Sequence, residues 1–328
     1  MTRLAALLSL TLALPARAAP ILIKLGTVAP KGSRYDAMLE EMGQKWSDAS
    51  GGQVKLRIYP GGIAGSEGDM VRKIGVGQLQ AAAITTVGMH DITAEPQALN
   101  IPMLIKSPGE LEYVLSKLRP RLDAALAKKG FVVMNWANAG SPRLFSTFAI
   151  KTPSDLSNAK IWALDGDPAG AEGWKAAGFR PVMLSSTDIV PSLETGLINC
   201  VPEPPLFVFV TRLFEKANHM LDLRWGMLTG ATVVRKETWE KIAPDVQQKL
   251  LVIADSTAKD LSTEIKHLDD DAVAQMKTQG LQIDSPGDIA AWQTAAEKAW
   301  PIVRGKVVPA DIFDEIQRLV AEYRAQHH

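Results

Sequence analysis

Short apolar segments alternate with amphipathic helical segments along most of the chain, and this alternation is the feature that most restricts the fold. Residues 21–25 (ILIKL) predict a buried strand, residues 33–46 place apolar side chains at helical spacing, and residues 54–58 alternate apolar with polar side chains as a half-buried strand does. From Lys236 onward the pattern is helical almost throughout. Strands separated by helices predict an α/β fold with mostly parallel sheets and a helical C-terminal portion. Further strand-like segments are AAAITTV (81–87), FVVMNWA (131–137), KIWAL (160–164), PVML (181–184), LINCV (197–201) and HMLDL (219–223).

The N-terminal stretch has the parts of a secretory signal peptide. Arg3 precedes an apolar run from Leu4 to Leu14, and the small-residue site Ala16-Arg17-Ala18 follows. A bilayer-spanning helix needs about 20 apolar residues, so this run is too short to be one. We therefore expect cleavage near Ala18, which makes residues 1–18 the signal peptide, and export of the chain.

Composition excludes several classes of function. The chain has 36 basic and 36 acidic residues, so no net charge attracts it to nucleic acid or to an anionic membrane. Removing 18 residues from 328 leaves a chain of the size that usually divides into two domains. Cys200 is the single cysteine, so no intrachain disulfide can form. Its apolar neighbours in GLINCV predict a small buried side chain rather than a nucleophile.

No motif for catalysis, cofactor binding or metal binding is present in the sequence. The glycines at positions 61–68 lack both the Lys-Ser/Thr of a P-loop and the G-x-G-x-x-G order of a dinucleotide site. We interpret them as a turn between a strand and a helix, with Ser66 or Glu67 near the helix start. The five histidines show no metal-ligand spacing, and no G-x-S-x-G elbow occurs. The chain is therefore predicted not to be an enzyme and to need neither a cofactor nor a metal.

Three segments, in this order, resemble the periplasmic solute receptors of TRAP transporters, the dicarboxylate-receptor-like family. They are LRIYPGGIAGSEGDMVRKIGVGQLQAA (56–82), GSPRLFSTFAIKTPSDLSNAKIW (140–162) and PVMLSSTDIVPSLETGLINCVPEPP (181–205). The resemblance covers most of the mature chain and rests on the order of the YP-x-x-x-x-G, TP-x-DL and S/T-x-x-x-L-x-T-G-x-I-[DN] motifs.

The resemblance implies a two-lobed periplasmic binding protein fold whose lobes are joined by a hinge. Lobe one is expected to comprise residues 19–142 plus about 231–268, and lobe two residues 143–230 plus about 269–328. Such a receptor captures a small ligand in the cleft between its lobes and delivers it to an ion-driven permease in the membrane. The glycine-rich turn would then form a rigid corner of lobe one near the cleft.

The sequence departs from the family pattern where the ligand is expected to bind. Most members place an arginine after the G-x-K-[IV] of the segment that here reads NAKIWALDG, and its guanidinium pairs with the ligand carboxylate. Trp162 stands there instead, and an indole cannot neutralise a carboxylate. Neutral Asn199 replaces the first carboxylate of a later family pattern, Asp-Gly-x-Glu-Asn. Arg143 matches a second, less universal family arginine. These departures indicate a ligand less polar than a dicarboxylate, such as an amphiphile whose acid, if it has one, is held by Arg143.

Purely structural interpretations of the same residues, as surface or core side chains, remain open at this point. Arg143 could be a surface residue after Pro142, and Trp162 could pack in the core beside Trp174. Phenylalanine at helical spacing is also usually core. Thr85 and Thr86 follow a strand, and the carboxyl ends of strands are where open α/β sheets bind ligands. The candidate ligand-binding residues are Thr85, Thr86, Arg143, Trp162, Ser185, Glu203, Phe207 and Trp225.

Two alternative functions remain beside a receptor for a less polar ligand. The first is a conventional dicarboxylate or keto-acid receptor that uses Arg143, and the second is a secreted enzyme on a two-lobed scaffold. The resemblance further suggests an atypical branch of the family whose receptors work with a periplasmic tetratricopeptide-repeat partner. No residue of the sequence indicates a surface for that partner.

Overall fold

Two mixed β-sheets with helices packed around them form the protein. The computed structural model describes residues 19–165 and 168–327, so the predicted signal peptide lies outside the described residues. Within these ranges, no helix combines the length and the apolar character that crossing a membrane requires. The strands are β1 (Ile21–Thr27), β2 (Val54–Tyr59), β3 (Ala81–Thr85), β4 (Phe131–Gly140), β5 (Arg143–Ser146), β6 (Lys160–Leu164), β7 (Arg180–Leu184), β8 (Cys200–Glu203), β9 (His219–Leu221), β10 (Leu228–Arg235) and β11 (Gln282–Asp284).

Helices connect most of these strands. Serine side chains begin several of them: the Ser33 hydroxyl accepts a hydrogen bond from the Asp36 amide, and the Ser107 hydroxyl accepts one from the Glu110 amide. Short 3₁₀ helices occur at Gly88–Asp91, Glu95–Asn100, Pro153–Asn158, Ser186–Asp188 and Leu213–Glu215, and a π-helical turn at Val303–Val307. The α-helices are α1 (Arg34–Ala49), α2 (Glu67–Gly75), α3 (Pro108–Lys128), α4 (Pro168–Ala176), α5 (Ile189–Glu194), α6 (Pro205–Val210), α7 (Lys236–Trp239), α8 (Pro244–Thr278), α9 (Ile289–Glu297), α10 (Trp300–Ile302) and α11 (Ala310–Gln326).

Each sheet contains one reversed strand. The first sheet has the order β2-β1-β3-β10-β4, in which β10 runs antiparallel to both of its neighbours. The second sheet has the order β11-β9-β5-β8-β6-β7, in which β5 runs antiparallel to β8 and β9. The remaining pairings are parallel, as strands joined by helical crossovers require. We call the first sheet with its helices lobe one and the second sheet with its helices lobe two.

The chain passes between the lobes several times. Residues 141–142 lead from β4 of lobe one to β5 of lobe two, and residues 222–227 lead back from β9 to β10. The long helix α8 belongs to both lobes. Near its start the Trp46 indole donates to the Leu250 carbonyl at 2.9 Å, whereas Met276 near its end is buried in the core of lobe two. Several crossings hold the lobes at one hinge region.

The fold agrees with the predicted class, whereas the predicted division of the chain into lobes stays a prediction. The two-lobed α/β architecture is confirmed, and α1 buries the face that carries Met38, Leu39, Met42 and Trp46. Residues 269–328 were expected in lobe two, but α11 packs on α3 of lobe one through an apolar face that includes Ile316. Burial of this apolar face against α3 explains why the end of the chain returns to lobe one. In our proposed division we therefore place Ala310–Gln326 in lobe one.

Candidate functional site

A cavity of about 300 Å³ lies between the two lobes. Strands β3 and β10 of lobe one and strands β6 and β8 of lobe two contribute to its wall, together with several helices. Most of the wall is aliphatic or aromatic, and none of its described residues is arginine, lysine or histidine. Its aromatic residues are Tyr35, Trp162, Trp174, Phe207 and Trp225, and its polar residues are Thr27, Glu67, Thr85, Gln97, Asn100, Asn135, Ser186, Glu203 and Thr232.

The glycine-rich turn before α2 forms a corner of lobe one that touches lobe two. The amides of Gly61 and Gly62 donate to the carbonyls of Ala29 and Thr27 at 2.7 and 3.0 Å, so they are used within the protein and cannot cradle a phosphate. Gly62 has a φ of +74°, and a Cβ at this position would lie 2.5 Å from the Thr187 methyl carbon. Only glycine fits this contact between the lobes.

Glu67 fixes the end of β3 beside the cavity. It is the first residue of α2, which Ser66 and Asp69 begin with a capping box. One Glu67 carboxylate oxygen accepts a hydrogen bond from the Thr85 amide at 2.6 Å, and the other accepts one from the Thr85 hydroxyl at 2.8 Å. Burial raises the pKa of Glu67, and the two hydrogen bonds from Thr85 partly offset this rise.

The two threonines predicted at this strand end have different surroundings. Thr85 lines the cavity. Thr86 is fully buried away from it, where its amide donates to the Thr229 carbonyl at 2.8 Å. The Thr86 hydroxyl oxygen has no hydrogen-bond partner among the described residues. Thr85 therefore lies on the cavity wall, whereas Thr86 does not.

Trp162 is both a core residue and a part of the cavity wall. Its side chain is 9% exposed, packs in the core of lobe two and lines the cavity. The Trp162 indole N–H donates to the Leu184 carbonyl at 3.1 Å, so this donor is already used. Trp174 does not pair with it but stacks on Trp225, with ring centroids 5.5 Å apart and planes 10° from parallel. Phe207 is half-buried on the same wall.

Glu203 ends β8 with its carboxyl group on the cavity wall. The residue is 8% exposed, and its side chain makes no hydrogen bond with the described part of the chain. Burial is the larger cause that raises the pKa of Glu203 to about 8, and the nearby charge of Glu67 is the smaller one. This carboxyl group is therefore mainly protonated at neutral pH.

Arg143 lies outside the cavity, although it is the register partner of Glu203 across β5 and β8. It is 8% exposed, and its guanidinium contacts the Asp222 carboxylate at 3.3 Å. It lines a separate small pocket together with Asn138 and Asp269. The Arg143 Nε has no partner among the described residues. Its part in ligand binding stays a prediction.

Ser185 lies next to the cavity rather than on its wall. Its hydroxyl is 2.9 Å from the Thr187 hydroxyl and accepts a hydrogen bond from the Thr187 amide, so it begins the 3₁₀ helix Ser186–Asp188. The following residue, Ser186, lines the cavity, and its buried hydroxyl oxygen has no partner in the described ranges.

Asp269 joins the segments that cross between the lobes. From α8 its carboxylate accepts hydrogen bonds from the Ser141 amide at 3.1 Å and the Leu206 amide at 3.0 Å. Burial raises the pKa of Asp269 to about 6 against the lowering effect of these bonds and of Arg143. A single side chain thus ties α8 to the crossing at residues 141–142 and to the start of α6.

Sequence reasoning missed several cavity residues. Tyr35 lies in residues 33–46, which were predicted only as a helix with apolar side chains at helical spacing, yet its hydroxyl donates to the Ala139 carbonyl at 2.9 Å beside the cavity. Glu67 was interpreted as a helix-start residue only. The feature of the sequence that could have identified Glu67 was an acidic residue in a turn whose preceding residues are mostly small or apolar. No such signal marked Trp174, which lies in an ordinary helical pattern.

The described residues contain no group of histidine, cysteine, aspartate or glutamate side chains arranged to hold a metal ion. Cys200 is fully buried, as predicted, and burial raises the pKa of its thiol to about 12. A thiol in this state is a poor nucleophile because only the thiolate reacts readily.

Comparisons with known proteins identify the family. The family model of bacterial extracellular solute-binding proteins, family 7 (DctP), matches residues 25–305. A solute-binding protein of Chromohalobacter salexigens is 23% identical over 80% of this chain and 78% of its own length. The C4-dicarboxylate-binding periplasmic protein DctP of Rhodobacter capsulatus is 25% identical over 76% of each chain.

Solved structures show the same fold. A TRAP periplasmic solute binding protein from Xanthobacter autotrophicus with bound β-D-galacturonate superimposes with a TM-score of 0.85 at 17% identity, covering 91% of this chain and 99% of that one. One from Desulfovibrio salexigens with bound orotic acid gives 0.85 at 16% identity, covering 93% and 99%.

These findings confirm the predicted resemblance to TRAP solute receptors and the prediction of a receptor rather than an enzyme. At such identities the structural likeness establishes the fold alone, whereas the family model extends over most of the chain. The chain therefore belongs to the bacterial extracellular solute-binding proteins, family 7.

Proposed function

We propose that the protein is the periplasmic receptor of a TRAP transporter and that it captures a small, mostly apolar ligand without net charge. The loaded receptor delivers this ligand to an ion-driven membrane permease. One observation carries the ligand class: the interlobe cavity is mainly aliphatic and aromatic, and no arginine, lysine or histidine lies among its described lining residues.

The free energy of desolvation is the reason why this wall disfavours a dicarboxylate. Moving a carboxylate from water into an apolar site costs several kcal/mol unless a cation or several donors offset it. The indole N–H of Trp162 is occupied by the Leu184 carbonyl. The titratable groups on the described wall belong to Tyr35, Glu67 and Glu203, so the wall supplies no positive charge to offset a ligand carboxylate.

The rival function is a conventional dicarboxylate or keto-acid receptor that uses Arg143. Its support comes from neighbours of the same fold that bind uronates and orotic acid, and from the unpartnered Arg143 Nε. Against it, Arg143 contacts Asp222 and lies off the cavity. The rival predicts that Arg143→Ala abolishes ligand binding. Our proposal predicts that this variant and the exposed control Arg212→Ala both retain it. The secreted enzyme is set aside because of the family to which the chain belongs.

Two partners are expected from the resemblance. Delivery to a TRAP permease follows from the kind of receptor that the family comprises. A periplasmic tetratricopeptide-repeat partner stays a prediction that rests on the resemblance of the sequence alone. The predicted export signal, residues 1–18, agrees with a periplasmic location for both encounters.

A competition experiment with a fluorescent probe tests the ligand class. N-phenyl-1-naphthylamine is uncharged and apolar, and its emission rises on entering an apolar site. We expect it to bind the purified protein and to be displaced by uncharged amphiphiles, but not by D-glucuronate or succinate. Calorimetric titration with the two acids provides the direct check. Tight binding of either acid, or failure of the probe to bind, would contradict the proposal.

A further inference from the structure

Several polar side-chain atoms on the cavity wall already have partners in the protein. The Tyr35 hydroxyl donates to a backbone carbonyl, and both carboxylate oxygens of Glu67 accept from Thr85. The Asn135 side chain donates to the Ala254 carbonyl at 3.1 Å and accepts from the Thr232 amide at 3.1 Å. These groups hold the wall together and have little capacity left for a ligand.

Besides the Ser186 hydroxyl, two buried groups on the same wall have no partner among the described residues. The Trp225 indole N–H is buried and has no hydrogen-bond partner, and the residue as a whole is only 5% exposed. The Glu203 carboxyl group receives and donates no hydrogen bond at 8% exposure. A buried polar group without a partner costs about 1–3 kcal/mol, so two such groups in residues that line one cavity indicate a missing partner.

The backbone segments that carry these two side chains are neighbours. The Trp225 amide donates to the Pro142 carbonyl at 2.9 Å, and Glu203 is the register partner of Arg143, the next residue along the chain. Aromatic packing fixes the Trp225 ring, which stacks on Trp174 and meets Trp292 edge-on with centroids 6.2 Å apart. The donor and the carboxyl group are therefore carried by neighbouring, rigid parts of the wall.

We propose, on the basis of the proposed function, that Glu203 and Trp225 together anchor an uncharged ligand head group that both donates and accepts hydrogen bonds, such as a carboxamide or an alcohol. The apolar body of the ligand then occupies the rest of the cavity.

The donor and acceptor properties of the two side chains decide this class. An indole N–H can only donate, so it requires an acceptor on the ligand, whereas a protonated carboxyl group accepts a hydrogen bond through its carbonyl oxygen and donates one through its O–H. A carboxylate ligand would accept hydrogen bonds from Trp225 and from the Glu203 O–H, but no cation among the described wall residues would offset the cost of removing its charge from water. An ammonium ligand would satisfy Glu203 but would leave Trp225 unpaired. The protonated state of Glu203 at neutral pH, which its raised pKa supports, also favours an uncharged head group.

Three probes with the same hydrocarbon chain test the anchor: octanamide, octanoate and octylamine, each measured at neutral pH by displacement of N-phenyl-1-naphthylamine. We expect octanamide to bind about tenfold more tightly than either charged probe. Glu203→Leu and Trp225→Phe should each remove most of this preference. Glu203→Gln should retain it, because an amide still donates and accepts.

Trp292→Phe is the matched control for Trp225→Phe. Trp292 packs against the same ring but does not line the cavity, so its variant should keep the preference for octanamide. Thermal unfolding of each variant shows that the fold is intact. If the fluorescent probe binds but octanamide binds no better than octanoate or octylamine, the anchor is wrong while the proposed function stands. An unchanged preference in Glu203→Leu also overturns the anchor. If no uncharged probe binds at all, the proposed function fails and the anchor with it.

Discussion

Glu203 should make the protein less stable as the pH rises, and Glu203→Gln should remove this effect. Burial raises the pKa of Glu203 from 4.5 to about 8 in the folded protein. The folded protein therefore binds one proton more than the unfolded chain between these values, and its free energy of unfolding falls with rising pH in that window. At about 1.4 kcal/mol per pKa unit, this single group lowers the stability by up to about 5 kcal/mol across the window.

Urea unfolding followed by tryptophan fluorescence measures the effect. The free energy of unfolding is determined for wild type and Glu203→Gln at several values from about pH 5 to pH 8.5. The difference in stability, variant minus wild type, should grow with pH by several kcal/mol, because glutamine carries no proton to lose. The control variant Glu194→Gln removes an exposed carboxyl group of the same lobe. Equal pH dependence in Glu203→Gln, Glu194→Gln and wild type would refute the reasoning that Glu203 is buried without a partner.

Two further predictions concern the contacts between the lobes. Gly62→Ala should weaken ligand binding at least tenfold by calorimetry, because its Cβ would meet Thr187 and hold the lobes apart. The control Gly61→Ala carries similar backbone strain but has open space around its Cβ, so it should bind the ligand normally. Equal affinities of the two variants would contradict the closed contact between the lobes. Asp269→Asn should lower the free energy of unfolding by about 1–3 kcal/mol in the same urea assay, because an amide cannot accept both backbone N–H bonds. The control Asp270→Asn alters an exposed ion pair with Lys266 and should change the free energy of unfolding by less than about 0.5 kcal/mol.

The parts of the fold that local pattern determines could be predicted from the sequence. The apolar face of α1 and strand β6 match the predicted residues because helical spacing and apolar runs act over a few residues. The two reversed strands, β5 and β10, were not predicted. Strand β10 reads LTGATVVR, with glycine and threonine in its first half, and its place is set by pairing with β3 and β4, which lie far away in the sequence.

The candidate site could be predicted by residue type but not by hydrogen-bond partner. The replacement of a family arginine by Trp162 was visible in the sequence, and so was Glu203. The occupied donor of Trp162 and the absence of a partner for Glu203 depend on how β6, β7 and β8 align. The position of Arg143 off the cavity and its contact with Asp222 are likewise features that no local pattern reveals.

Native mass spectrometry of the protein, purified from the periplasm of its native host without exposure to detergent, tests the central claim most directly. Any bound molecule is released, identified and counted against the protein. The account predicts one uncharged, mainly apolar molecule per chain with a head group that donates and accepts hydrogen bonds. A bound dicarboxylate, keto acid or uronate in one-to-one ratio would contradict it.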